Sequence, residues 1–498
     1  YWEEDPEAAV KALNTCYTYL GNMDEQLYCE AMTDNAYTKQ PNDFTQNIGN
    51  GSYSTADSYV KQVWDGRYTG IRMCNQLLEN IDRVPDLDPE LKKRYIGEAK
   101  VLRAYSYYEL YTKFGDIPYT TKVLSIKESM SIARTAKATV IANILADLDE
   151  VINGNYLPTS YDADNKGRIT RWAAMAIKAK IYLFEGNWTQ VKNITSTIMT
   201  EGGFKLFGSY AGLFEIANEY NSEVILDAQY RPTSREHQMM YVFLPPTLGG
   251  YSQLSPLQEL VDSYIMLDGK TIKETGTSFD ESHPYANRDP RLKATVMYTG
   301  NSYTLADGTE VVINCEKGEG KDGYGVGSDC SATGYYIKKY WDNTYRATLY
   351  SGLNPILIRY ADILLMNAEA LAELGELDKT AWDATIKPIR DRAGFTLASV
   401  LEFPEGASKD KLIEIVRNER RSELALEGHR HKDIIRWRIA DNVLNGWCHG
   451  LKTNDVVGTD DGYVRVENRT FNANKHYLWP IPQAERDLNG NLEQNPNW

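Results

Sequence analysis

The sequence predicts a mostly α fold, in which helical hairpins form a scaffold interrupted by a large loop-rich region. Three observations predict it. Long segments carry apolar residues at helical spacings. Two αα-hairpins have Ala-rich inner faces and turn on a glycine. Between them the stretch from Glu201 to Gly352 abandons that pattern for Pro, Gly, Asn, Asp and Tyr. The 498 residues, 42% hydrophobic and 25% charged, are ordinary globular usage and exclude a disordered, collagenous or disulfide-stapled chain. Length alone would allow about three domains. Along the chain the helical hairpins occupy approximately 1–200 and 353–440, the loop-rich region 201–352 and a C-terminal segment 441–498.

In chain order, Thr55 to Asp82 places Tyr59, Val63, Ile71, Leu77 and Ile81 on helical spacings, and Pro85 and Pro89 then punctuate the chain. A second helix runs from about Pro89 to Phe114 and stops at Gly115. A third spans about Thr139 to Ile152. Thr170 to Glu185 is rich in small residues (Ala173, Ala174, Ala176, Ala179), turns at Gly186 and returns as Trp188 to Met199. The later hairpin repeats the design. Asn354-Pro355 reads as a cap followed by a proline at the first helical position, then a helix from Ile356 to Leu374, Gly375, and a second helix from about Asp378 to Arg392. The two units resemble tetratricopeptide hairpins, and their uneven spacing excludes a regular solenoid. Within the loop-rich stretch, Glu223 to Gln229, Leu292 to Tyr298 and Tyr335 to Tyr340 are the strand candidates.

The net charge of −15, from 54 Lys+Arg against 69 Asp+Glu, excludes a protein that coats nucleic acid, which needs clustered cations. The six cysteines contain no C-x-x-C, so a zinc ribbon or thioredoxin-like motif is absent. A Cys315–Cys330 disulfide and a pair of free thiols both remain open. No run reaches the length of a membrane helix. The chain opens at Tyr1 rather than Met, which reads as a processed product whose leader has been removed.

Six blocks resemble the SusD/RagB family, in the family's order: GRITRWAAMAIKAKIYLFEGNW (Gly167 to Trp188), ELVDSYIMLDGK (Glu259 to Lys270), NRDPRL (Asn287 to Leu292), RYADILLMNAEALAELG (Arg359 to Gly375), ERRSELALEGHRHKDIIRW (Glu419 to Trp437) and YLWPIPQAERDLNGNLEQNPNW (Tyr477 to Trp498). The resemblance implies a single domain over 1–498 rather than three, with four tetratricopeptide-like hairpins supporting a loop-rich ligand face. It further implies a lipoprotein on the extracellular face of a bacterial outer membrane. Such a protein captures oligosaccharide or polysaccharide ligands and delivers them to a SusC-like TonB-dependent transporter. Peptide capture is the family's alternative function. The implied lipid anchor would lie upstream of Tyr1, since no cysteine precedes Cys16. The family implies no enzyme activity and no cofactor. A structural Ca²⁺ on the Asp/Asn/Gly-rich loops would have no recognised motif behind it.

The residues themselves point the same way. Arg417, Glu419, Arg420, Arg421, Glu423 and Glu427 invite a glycosidase reading, but i,i+3 and i,i+4 spacings make ion pairing along one helix the simpler account. His429 and His431, two apart, lack the spacing of a helical zinc site. Gly318, Gly320 and Gly323 fit G-x-G-x-x-G without the strand and helix that a dinucleotide site needs. What remains is an aromatic excess of the amphipathic kind, 35 Tyr and 10 Trp against 11 Phe. Trp64, Trp172, Trp188 and Trp437 lie on helices and belong to the core. Three loops mix rings with short polar side chains, as stacking on sugars requires: Tyr37 to Tyr53 (with Asn42, Asp43 and Phe44), Tyr241 to Tyr251 (extended by Phe279 and Tyr285), and Trp341 to Tyr350. From them the candidate ligand residues are Tyr37, Phe44, Tyr53, Tyr251, Tyr285, Trp341, Asn343 and Tyr345.

Overall fold

The computed structural model describes residues 2–39 and 44–498. Its spine is a row of helices: α1 (Ala8–Tyr17), α2 (Met23–Tyr28), α3 (Ser58–Asn80), α4 (Pro89–Phe114), α5 (Lys137–Asn153), α6 (Arg171–Phe184), α7 (Trp188–Glu201), α8 (Tyr360–Leu374), α9 (Lys379–Ala384), α10 (Ile386–Ala393), α11 (Lys409–Glu423) and α12 (Arg430–Arg436). The starts are set by side-chain caps: Asp57, Asp88, Thr170, Asn187 and Ser408 each accept from backbone N–H groups of the first helical turn. Pro89 takes the first position of α4, and Gly375 ends α8 in the left-handed conformation (φ 73°) that a side chain would resist.

α1 packs on α3, α3 on α4, α4 on α5, α5 on α6, α6 on α7, α7 on α8 and α8 on α11. The row is therefore continuous in space although 158 residues (202–359) separate α7 from α8 in sequence. Small buried side chains make the close contacts: Ala173, Ala174, Ala176 and Ala179 on α6, and Ala361, Ala368 and Ala370 on α8 are inaccessible to solvent. Trp64 of α3 meets Phe114 of α4 edge-on, centroids 5.1 Å apart, a contact worth about 0.5–1.5 kcal/mol beyond its buried area. Trp172 and Trp437 are buried as expected, while Trp188 is only half-buried at the start of α7.

Three elements differ from the sequence reading. Ile356–Arg359 is a strand, paired antiparallel with Val224–Asp227, and the helix begins only at Tyr360. Asn354 does not cap it; Asn354 Nδ2 donates to Asp227 and its Oδ1 accepts from Tyr230 N. The helix after Gly375 breaks at Thr385 into α9 and α10, because Pro388 has no N–H and its ring would clash with the Ala384 carbonyl in a continuous helix. Most of the expected strand Leu292 to Tyr298 is helix (Pro290–Thr295, capped by Asp289), leaving Val296–Met297 to pair with Tyr336–Ile337.

The loop-rich stretch builds its own apolar core on Met239, Phe243, Leu260, Tyr264, Tyr303 and Tyr336. Tyr264, Tyr303, Tyr335 and Tyr336 are all inaccessible, so part of the tyrosine excess is interior packing rather than surface. The chain then forms an antiparallel hairpin (Gly446–Lys452 with Tyr463–Arg469) and winds its last residues back over the α3–α4 seam. There Trp479 N donates to the Lys113 carbonyl and Asn495 Nδ2 to that of Phe114, both at the C-terminal end of α4. All six thiols are free, and Cys315 and Cys330 are buried without a disulfide.

Candidate ligand-binding face

The eight candidate residues separate by exposure. Tyr53 is interior, its ring 4.7 Å from Trp498 and 5.2 Å from His476. Tyr345 is interior as well, only 7% exposed. Both are corrections to the sequence reading, which placed them on a surface: each ring fills a gap that the chain itself closes. Tyr285 stacks on Tyr298 at 4.1 Å and shares a hydrogen bond with the Tyr335 hydroxyl, so its face too is taken by protein. Tyr37 lies half-buried in the strand Ala36–Thr38, which pairs with Leu254–Pro256, and its hydroxyl accepts from Gln46 Nε2. The Phe44 side chain, Asn42 and Asp43 lie outside the described residues. Tyr251, Trp341 and Asn343 remain on the surface.

The structure brings the second and third loops together. Tyr241 stacks on Tyr251 (6.4 Å, 21°) and meets Tyr350 edge-on (6.0 Å, 85°). Tyr251 and Tyr350 are 38% and 40% exposed, among the few large apolar side chains open to solvent. Backbone contacts fix the array. Tyr251 N donates to the Tyr241 carbonyl, and a tight turn over Pro246–Leu248 ends in Gly249 at φ 88°. A side chain at Gly250 would overlap the Leu244 carbonyl, so only glycine lets the chain after the turn lie this close. The third loop is pinned at both ends. Asp342 accepts from Ile216 N and Thr344 N, while His237 and Ser351 exchange two backbone hydrogen bonds of 2.9 Å.

Asp24 stands close to Tyr251 and to a further ring, Tyr230. The Arg235 guanidinium sits 4.8 Å over the Tyr230 ring, and the Tyr230 hydroxyl accepts from Met23 N at the start of α2. Burial, then the neighbouring Asp24 carboxylate, raises the Tyr251 phenol above its ordinary range. Tyr241 and Tyr350 fall inside the loops singled out from sequence. Asp24, Tyr230 and Arg235 do not, and Asp24 is more than 200 residues away along the chain, a proximity no local pattern encodes.

Trp341 and Asn343 line a separate cleft of about 600 Å³ at the other end of the third loop. The Trp341 indole N–H donates to the Thr304 carbonyl and its ring packs edge-on to Tyr303, which leaves it half-buried. Lys338 lines the same cleft, and burial followed by repulsion from Lys293 pushes its ammonium down to about 8.

The carboxylate-rich segment is sealed and paired. α11 stops at Glu423, so Glu427 is not on the same helix, and the pairing runs between elements rather than along one. Arg359 donates to Glu223, Glu423 and Glu427; Arg291 to Glu423 and Asp289; Arg390 to Glu419. Arg420 reaches Asp362 and Asp433 instead of Glu423. Glu419, Glu423 and Glu427 are each no more than 3% exposed, and each is held by basic side chains. Among the described residues no three His, Cys, Asp or Glu side chains group as metal ligands.

The chain is similar to known proteins along nearly its whole length. The model of the SusD family matches residues 213–498, more than half of the chain, and a second model, described as starch-binding associating with outer membrane, matches 9–183. A SusD-like protein of Formosa agariphila is 27% identical over 409 residues, covering 77% of this chain and 71% of that one. The crystal structure of a SusD-like carbohydrate-binding protein from Bacteroides fragilis superposes with a TM-score of 0.86 at 28% identity, covering 99% of both chains. A laminarin-binding SusD-like protein shares the fold, with a TM-score of 0.74 at 24% identity over 100% of both chains.

Proposed function

The chain belongs to the SusD family, and on that premise we propose that it is a glycan-binding protein of the bacterial outer surface. It captures oligosaccharides or polysaccharides on the tyrosine array, passes them to a TonB-dependent outer-membrane transporter and does no chemistry on them. The observation that carries the reading is the Tyr241–Tyr251–Tyr350 array, with two exposed rings held rigidly by backbone contacts. The flat C–H face of a sugar stacks on such rings at little entropic cost, and hydroxyl groups find the Asp24 carboxylate beside Tyr251. The burial of every carboxylate in the charged segment supports capture without hydrolysis. The matching model's description as associating with the outer membrane supports the location. No helix among the described residues is long and apolar enough to cross a membrane.

Affinity at such an open surface is modest, because stacking and a few hydrogen bonds must offset lost motion of the ligand. Calorimetric titration with panels of oligosaccharides and of peptides tests the reading. Binding of a glycan that Tyr251→Ala and Tyr350→Ala each weaken about tenfold, with unchanged Tm, is the expected result. Binding only to peptides, or glycan binding indifferent to both substitutions, would overturn it.

A further inference from the structure

Away from the tyrosine array, α2, α3, α4, α6 and α12 converge on a polar cavity of about 90 Å³. Glu109 of α4 lines it. Lys113 Nζ donates to it at 2.7 Å and Lys432 Nζ of α12 approaches it at 2.8 Å. Among the described residues neither lysine has another carboxylate within ion-pair distance. Arg67 is matched by Glu25. Lys180, Arg420 and Arg436 are matched by Asp362, Asp433 and Glu369 in one chain that runs on through Arg417 to Glu373. Glu427, also on the wall, is taken by Arg359 and Lys339. Two ammonium groups thus share one carboxylate, and the cavity holds one positive charge more than its protein partners balance.

The cavity also has more donors than acceptors. Lys180 Nζ lies 3.4 Å from His429 Nδ1, and an ammonium can only donate, so Nδ1 accepts and the imidazole proton sits on Nε2. That Nε2–H finds no acceptor among the described residues, and neither ring nitrogen of His431 forms a hydrogen bond there. Both imidazoles line the cavity. The spare acceptor on its wall is Gln26 Oε1, buried and unpartnered among the described residues, which calls for a water beside it.

We propose that this cavity binds a small monovalent inorganic anion, of the charge and size of chloride, held by Lys432 and Lys113, with the imidazoles of His431 and His429 on the surrounding wall. The volume admits one such ion with a water or two. The anion completes the charge balance where the N-terminal helices meet α12, and so ties the two ends of the helical row together.

Crystals grown in sodium bromide test the site. An anomalous peak inside the cavity, within hydrogen-bonding reach of Lys432 Nζ, is expected. In solution, Tm rises saturably by about 2–4 °C in chloride or bromide relative to gluconate at matched ionic strength. Lys432, the most exposed of the cavity's cations, can be changed without opening the core. Lys432→Met loses the halide-specific rise and Lys432→Arg keeps it. Bromide crystals without density in the cavity, or equal melting of the wild type in halide and gluconate, overturn the assignment. A halide response undiminished in Lys432→Met does so too.

Discussion

Arg359, the last residue of a strand, donates to both the side chain and the backbone carbonyl of Glu423, the last residue of α11, at 2.6 and 2.8 Å. The pair joins the far end of the loop-rich region to the helical row. Burial pushes the Glu423 carboxyl up, but Arg392, Arg359 and Arg291 outweigh it and hold the group well below the usual carboxylate range. The same arginine explains why Ile356–Arg359 is a strand: in an extended backbone its side chain reaches Glu223, Glu423 and Glu427 together.

Truncating one partner of this network leaves charges buried without a counterion. Arg359→Ala is therefore expected to cost about 3–5 kcal/mol. Urea denaturation measures it; a loss below about 1 kcal/mol would show that the network relaxes or admits water.

Tyr53 and Tyr350 make opposite predictions. Tyr53 fills the space between Trp498 and His476, so Tyr53→Ala opens a cavity and is expected to cost about 3–5 kcal/mol while leaving ligand affinity of the folded protein unchanged. Tyr350→Ala should leave Tm within a degree or two and reduce affinity. Thermal melts alongside titrations separate the two, and an inverted pattern would place the ligand at the C-terminal segment.

Stability should fall as the solution is acidified below about pH 6.5. Burial, with Lys180 beside His429 and Lys113 beside His431, holds both imidazoles down to about 3. The unfolded chain binds protons at 6.5 that the native state refuses, so stability present above that value is lost as pH falls toward 3. Glu30 and Asp227, raised by burial to about 7, act in the opposite sense: what they contribute is complete below their unfolded values and is lost as pH rises through 7. The imidazoles are displaced further, and His237, lowered by burial to about 4, adds to them. The net expectation is a falling urea midpoint between pH 6.5 and 4.5. A flat profile there, or restoration of wild-type acid sensitivity in a His429→Gln/His431→Gln double variant, would contradict it.

The C-terminal hairpin should loosen in alkali. His449 lies between Glu259 (2.7 Å) and Asp460 (2.9 Å), and the hydrogen bond to Glu259, against burial and with help from Asp460, raises it to about 8. Its folded value exceeds its unfolded one, so its contribution is complete below 6.5 and disappears as pH rises through 8. Hydrogen exchange of Gly446–Lys452, corrected for intrinsic rates, should accelerate between pH 7 and 9 in the wild type and not in His449→Gln.

Local sequence carried the helical row well. Caps, glycine stops and helical spacing locate α3, α4, α6 and α7 to within three residues at each end, because those signals act within one turn of the chain. The same rules fail at Asn354-Pro355. A cap and a proline are present there, but strand pairing to Val224–Asp227 and the buried arginine override them. The candidate ligand face was legible only in part. Ring-and-polar composition marks the loops that hold Tyr241, Tyr251 and Tyr350, but composition is blind to which rings the chain covers, and so it also selected Tyr53, Tyr285 and Tyr345.

By itself, then, the sequence determined the mostly α class, the order and ends of the main helices, and the resemblance to the family that the chain belongs to. Those are properties of short windows and of motifs in order. The tertiary structure alone decided that α7 and α8 are neighbours, and that Asp24 stands beside Tyr251. It alone decided that two lysines share Glu109. Each of these is a contact between residues distant in the chain, and its energy comes from burial and charge balance that exist only once the helices have packed.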